Sequence, residues 1–249
     1  MAGKKTGNNK VRKVAVDIIM VCLAAIVLVS GWKVYNILHD YKVSRDAYDK
    51  IAELAMPKGF TGEINFDALH KVNKDVIAWI YYESTHINYP VLRCDNNDQY
   101  LRASLDGTWA IGGSIFVEAA TEKPFRQFNT IVYGHHMQDG SMFADLEKLK
   151  DPEYAAEHPQ LELVTPEKKY HLRVCAFLNE PSDSDVYTPN ISDDDEEGKQ
   201  KYIDEIRDTA LYTTGEKMTP DDRYVVLSTC AYEYEEARYI VICKMTPWK

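Results

Sequence analysis

Apolar residues follow two different rhythms along this chain. Over residues 14–35 they are nearly continuous, VAVDIIMVCLAAIVLVSGWKVY, and unbroken from Ile18 to Val29. Roughly 20 such residues is the length a helix needs to cross a bilayer. Ile37, Leu38, Tyr41, Tyr48, Ile51, Leu54 and Ala55 then recur at helical spacing. Pro57, Gly59 and Gly62 end that helix, and a second short one is expected over 66–72. From Val76 the rhythm becomes that of short strands: IAWIYY, INYPVLR, GSIFVE and FNTIVYGHH. LELVTP and YHLRVCAFL read as a hairpin turning at 166–169. The last pair runs through Val225, Val226 and Leu227 and then Tyr239, Ile240, Val241 and Ile242, with the acidic connector AYEYEEA between them. β-branched residues of this kind suit a pleated, buried surface.

Helices interrupt the strands in two places. Phe143, Leu146 and Leu149 share one face of an amphipathic helix over 142–150. Ile203, Ile206 and Ala210 line the buried side of another. That helix follows the segment PSDSDVYTPNISDDDEEGKQ, which is too polar to be core and reads as a solvated loop. About eight short strands with few long helices predict a mainly β fold, an antiparallel barrel or sandwich with helices on its loops. Strand and helix do not alternate, which argues against a parallel α/β sheet.

Charge sharpens the division. Residues 1–32 carry Lys4, Lys5, Lys10, Arg12 and Lys13 against Asp17, a net of +4, whereas the whole chain of 249 residues is −10. A basic stretch ahead of an apolar one predicts a cytoplasmic N-terminus and an exported body. Trp32 and Tyr35 suit the far interface, and VSG fits poorly to the small-x-small pattern of a cleaved signal peptide. The expected layout is a basic tail over 1–13, a transmembrane signal-anchor over 14–35, a helical region over 36–75 and a β domain over 76–249. The acidic body argues against nucleic acid as a partner, since phosphates demand a basic face.

The chemistry sits at strand ends. The five cysteines are Cys22, Cys94, Cys175, Cys230 and Cys243, with no CxxC and no spacing that suggests zinc. Cys175 and Cys243 fall inside apolar strands and read as packing. Cys230 ends one strand of the last pair and Arg238 begins the other, so antiparallel pairing brings them to the same end of the sheet. His135 and His136 end the strand FNTIVYGHH in a Gly-flanked turn, and at most one of them faces such a site. A thiolate is the reactive form of cysteine, and a nearby imidazole or guanidinium favours it. The imidazole can protonate a leaving amine, and the guanidinium can hydrogen-bond a developing oxyanion. Adjacent histidines chelate one ion poorly, and the acidic cluster 193–197 lacks the spacing of a calcium loop, so neither a metal nor another cofactor is expected.

LSTC at residues 227–230, Arg238 after it and YGHHM before it together resemble the sortase signature. Sortases are membrane-anchored cysteine transpeptidases of Gram-positive bacteria. VYGHHMQDGSMF, the acidic helix-containing insert and the N-terminal helical portion resemble class B, and the likeness covers roughly residues 40–249. It implies a closed eight-stranded β-barrel with N-terminal helices and a helix-containing insert before the last two strands. By position it implies His135 as the catalytic histidine, Cys230 as the nucleophile and Arg238 as the essential arginine. Ser228 matches a serine that contacts sorting-signal peptides, and Asn97 and Leu101 resemble residues lining the class B groove. The reaction implied is cleavage of a Thr–Gly-like bond in the C-terminal sorting signal of a secreted surface protein, through a thioacyl enzyme. An amine of cell-wall peptidoglycan then takes the acyl group. The expected location is the cell membrane, single-pass, with the catalytic domain outside.

Two other readings remain open at this level. One is a membrane-anchored extracellular binding module without catalysis; the other is a cysteine protease. A papain-like enzyme places its cysteine before its histidine, the reverse of the order here. An L,D-transpeptidase carries its arginine directly after the nucleophile, where this chain has Ala231.

Overall fold

The computed structural model describes residues 5–230 and 236–248, with side chains from residue 12 onward. Most of the connector AYEYEEA, residues 231–235, lies outside the described residues. Two compact units emerge, residues 1–43 and 44–249.

Helix α1, Lys5–Ala55, is the long apolar helix of the sequence. Its apolar side chains from Val14 to Leu38 are exposed, and over Arg12–Ala55 it is long and apolar enough to cross a membrane. Within the second unit, the last turns of α1 bury Tyr48 and Ala55. The Tyr48 hydroxyl donates to the Gly113 carbonyl at 2.6 Å, and its ring meets Tyr89 edge-on. Helix α2, Phe66–Val72, starts at Asn65, whose side chain accepts from the Ala68 amide.

Nine strands follow among the described residues. They are β1 (Val76–Tyr81), β2 (Asn88–Arg93), β3 (Ile115–Val117), β4 (Asn129–Tyr133), β5 (Gln160–Val164), β6 (Lys169–Pro181), β7 (Tyr212–Thr213), β8 (Tyr224–Cys230) and β9 (Ala237–Pro247). They hydrogen-bond in the order β5-β1-β2-β3-β4-β8-β9-β6-β7, and β5 also pairs with β6. That extra pairing closes eight strands into a barrel and leaves the two-residue β7 outside it. The barrel is mixed rather than wholly antiparallel: β2–β3 and β4–β8 are parallel. Residues 94–114 join β2 to β3 as a long crossover, as parallel pairing requires, whereas between β4 and β8 the chain first forms β5, β6 and β7.

Two apolar layers cover the barrel wall. Val226, Ile240, Ile242 and Leu178 pack under Tyr202, Ile203 and Ile206 of a third helix, α3, Glu196–Thr209. Trp79, Leu92 and Phe116 pack under Leu69 of α2, with Leu105 and Tyr100. The alternate positions, among them Ile80, Val91, Val225, Leu227 and Val241, are fully buried too and fill the interior. Strands buried on both faces read as continuous apolar runs, which is the pattern of this sequence.

The structure departs from expectation in two further places. The segment Ala144–Lys150 is a 3-10 helix rather than an α-helix, although Leu146 and Leu149 are buried as the pattern required. The acidic insert is not wholly solvated. A short 3-10 turn, Asp185–Tyr187, buries Val186 completely, and the Ser184 side chain caps it by accepting from the Val186 amide. One apolar residue on a capped turn escapes a reading based on average polarity.

Candidate active site

Register places the reactive groups. β4 runs parallel to β8, with Tyr133 level with Ser228, and the Gly134 amide donates to the Ser228 carbonyl at 3.1 Å. Continuing that register brings His135 level with Cys230. On the other side of β8, Cys230 is the direct antiparallel partner of Arg238 on β9. Three residues far apart in sequence thus end on one rim. Gly134 is required there: a Cβ would lie 2.5 Å from Ile115 Cδ1 and 2.6 Å from Phe143 Cγ, closer than carbon atoms can approach.

A groove of about 250 Å³ runs along this rim. All six residues singled out from the sequence line it: Cys230, His135, Arg238, Ser228, Asn97 and Leu101. Phe116, Tyr133, Tyr187 and Thr229 line it as well. Cys230 is partly accessible, whereas Cys94, Cys175 and Cys243 are buried, and none of the five forms a disulfide.

His135 is half-buried, and its Nε2 lies 2.8 Å from the Leu101 carbonyl. A carbonyl only accepts, so Nε2 carries the proton and Nδ1 is left as the basic nitrogen. Burial holds the ring's pKa below the ordinary 6.5; the Leu101 carbonyl opposes this, and the positive charges of Arg102 and Arg238 reinforce it. Arg238 donates to its neighbours, to the Ala237 carbonyl at 3.0 Å and to Glu236 at 3.1 Å. Glu236 also accepts from the Ser182 hydroxyl at 3.2 Å.

The predicted groove residues are held by their own network. Ser228 is buried, and its hydroxyl lies 2.6 Å from that of Tyr187. Asn97 gives its amide hydrogens to both oxygens of Glu118, each at 2.9 Å, and its Oδ1 accepts from the Ala119 amide. The Tyr133 hydroxyl donates to the same Glu118 at 2.9 Å. Leu101 presents a partly exposed side chain to the groove while its carbonyl holds His135. Sequence reasoning missed Tyr187, Tyr133 and Glu118. Tyr133 directly precedes the Gly-His motif and was within reach; Tyr187 was hidden in the polar insert.

A thiol, a basic imidazole and a guanidinium on one rim of a closed barrel, facing a peptide-sized groove, make up the equipment of a thiol acyl-transfer enzyme. A sortase-domain family profile matches residues 80–246, and the chain belongs to the sortase family. It is similar to sortase B of Listeria monocytogenes, 31% identical over 226 residues, 88% of this chain and 91% of the relative. It is similar also to sortase B of Staphylococcus aureus, 30% identical over 235 residues, 92% of this chain and 95% of the relative. A solved Staphylococcus aureus sortase B–substrate complex superposes with a TM-score of 0.75 at 27% identity, covering 85% of this chain and 100% of the other. The chain is therefore a class B sortase and a cysteine transpeptidase. The non-catalytic binding module falls away.

Proposed function

We propose that Cys230 is the nucleophile, His135 the acid–base group and Arg238 the oxyanion donor. The Cys230 thiolate attacks the carbonyl carbon of a Thr–Gly-like bond in a C-terminal sorting signal. Arg238 hydrogen-bonds the oxyanion as it forms. Protonated His135 gives its proton to the departing amine, and a thioester on Cys230 remains. An amine of peptidoglycan then attacks that thioester, gives a proton to His135 and expels the thiolate, which restores the starting state. Ser228, Asn97 and Leu101 line the path of the peptide, together with Tyr187. Residues 14–35 cross the membrane, the basic residues 1–13 stay in the cytoplasm, and the helical region 36–75 and the β domain 76–249 lie outside.

The observation that carries this reading is the shared register of β4, β8 and β9 at Cys230. The test is to incubate the full chain in detergent with a pentapeptide library and follow products by mass spectrometry. A thioacyl mass increment on Cys230, released by an added amine, is expected. Unaltered turnover in Cys230→Ala overturns the assignment.

A further inference from the structure

His136 stands next to the proposed acid–base residue, and the sequence attaches no role to it. It turns away from His135, as successive residues leaving a strand do. Its side chain is only 10% exposed. Nδ1 lies 3.0 Å from the backbone carbonyl oxygen of Cys230, and Nε2 lies 3.3 Å from Glu147 Oε2. A carbonyl only accepts, so Nδ1 is the donor to Cys230, and Nε2 is turned toward the Glu147 carboxylate. The ring also lies near Tyr239, with centroids 6.2 Å apart. Behind it the turn is closed: His136 bridges to Met142, and the Phe143 amide donates to the His135 carbonyl at 2.9 Å. The 3-10 helix bearing Glu147 begins at Ala144.

Cys230 is the last residue of its strand. Strand ends lose ladder hydrogen bonds and fray, and a sulfur displaced by about 1 Å can cost about 100-fold in rate. A donor locked onto the Cys230 carbonyl fixes the backbone that carries the sulfur. We propose that His136 is a positioning residue: its imidazole ties the carbonyl of Cys230 to the Glu147 turn and so holds the sulfur in attacking position. The paired histidines then divide the work, His135 moving protons and His136 holding the nucleophile's backbone. This rests on Cys230 being the nucleophile.

Side-chain amides separate the two arms of the ring. In His136→Asn the amide nitrogen overlies Nδ1 and keeps the bond to the Cys230 carbonyl. In His136→Gln it overlies Nε2 and keeps Glu147 alone. The measurement is single-turnover acylation of Cys230 by a cleavable peptide, with kcat, KM and melting temperature, on the full chain in detergent. His136→Gln is expected to lose roughly tenfold or more in acylation rate and kcat, the worth of one buried hydrogen bond, with KM within about twofold. His136→Asn is expected to stay within about threefold of the wild type. Equal losses in Asn and Gln variants, or wild-type acylation in Gln, overturn the proposal, and both readouts survive if His136→Ala fails to fold. A wild-type chain that forms no adduct on Cys230 defeats the assignment of the nucleophile instead, and this proposal with it.

Discussion

The β8–β9 hairpin carries a cysteine at its rim and another in its middle, and they live in opposite conditions. Cys243 pairs with Val225 inside the barrel wall, and burial pushes its thiol well above the usual 9. Cys175, on the neighbouring β6, is pushed up to about 12, and Cys94 up to about 11, in both cases chiefly by burial. Cys230 ends its strand, opens onto a groove and faces Arg238 across the ladder. The same side chain is a small apolar filler at one end of a strand pair and a candidate nucleophile at the other. Position within the sheet decides reactivity: the middle of the wall removes water, and the rim supplies both water and a cation.

Alkylation gives the largest expected contrast. In the folded chain, iodoacetamide at pH 8 should modify Cys230 at least about a thousandfold faster than Cys94, Cys175 or Cys243, because the buried thiols react only when the domain opens. Peptide mapping after a timed quench reads the ratio, and comparable labelling of Cys243 would erase the contrast. Next comes Arg238→Lys, which keeps the charge but loses the planar fork. It should lower kcat/KM for peptide cleavage by about 100-fold while the melting temperature holds. Cys243→Ser tests the middle of the wall: a hydroxyl buried without a partner should cost about 1–3 kcal/mol in urea unfolding and leave kcat near wild type.

The smallest effect concerns His135. Its folded pKa lies below the ordinary 6.5, so the unfolded chain takes up a proton first as pH falls through 6.5. The stability tied to the neutral ring is complete above that pH and is lost below it. Arg102→Ala removes one of the charges that push the pKa down, so the ring should titrate closer to 6.5, yet still below it because burial remains. NMR titration of the ring protons checks the direction.

Much of this rim was legible in the sequence because strand pairing is local and patterned. Two apolar runs joined by a short connector force Cys230 and Arg238 to one end, and an apolar run ending in Tyr-Gly-His-His delivers His135 to a turn. The parallel register of β4 on β8 was not legible, since nothing in a strand's own pattern names a neighbour some 90 positions away. The groove wall was half legible. Tyr187 and Val186 sit in a stretch whose acidic neighbours mask them, although Ser184 ahead of them is a helix-capping signal. His136 looked redundant beside His135, because its value lies in a backbone carbonyl that only the folded strand end provides.

Closure of the barrel has a consequence for how a peptide can approach it. β5 is paired on both sides, so among the described residues the eight strands offer no long unpaired edge, and the short β7 provides just two residues of one. Along that wall an extended polypeptide finds little backbone to which it could add itself as another strand. The closed wall therefore leaves little free backbone for a further strand to pair with, whether from a peptide or from a second copy of the chain.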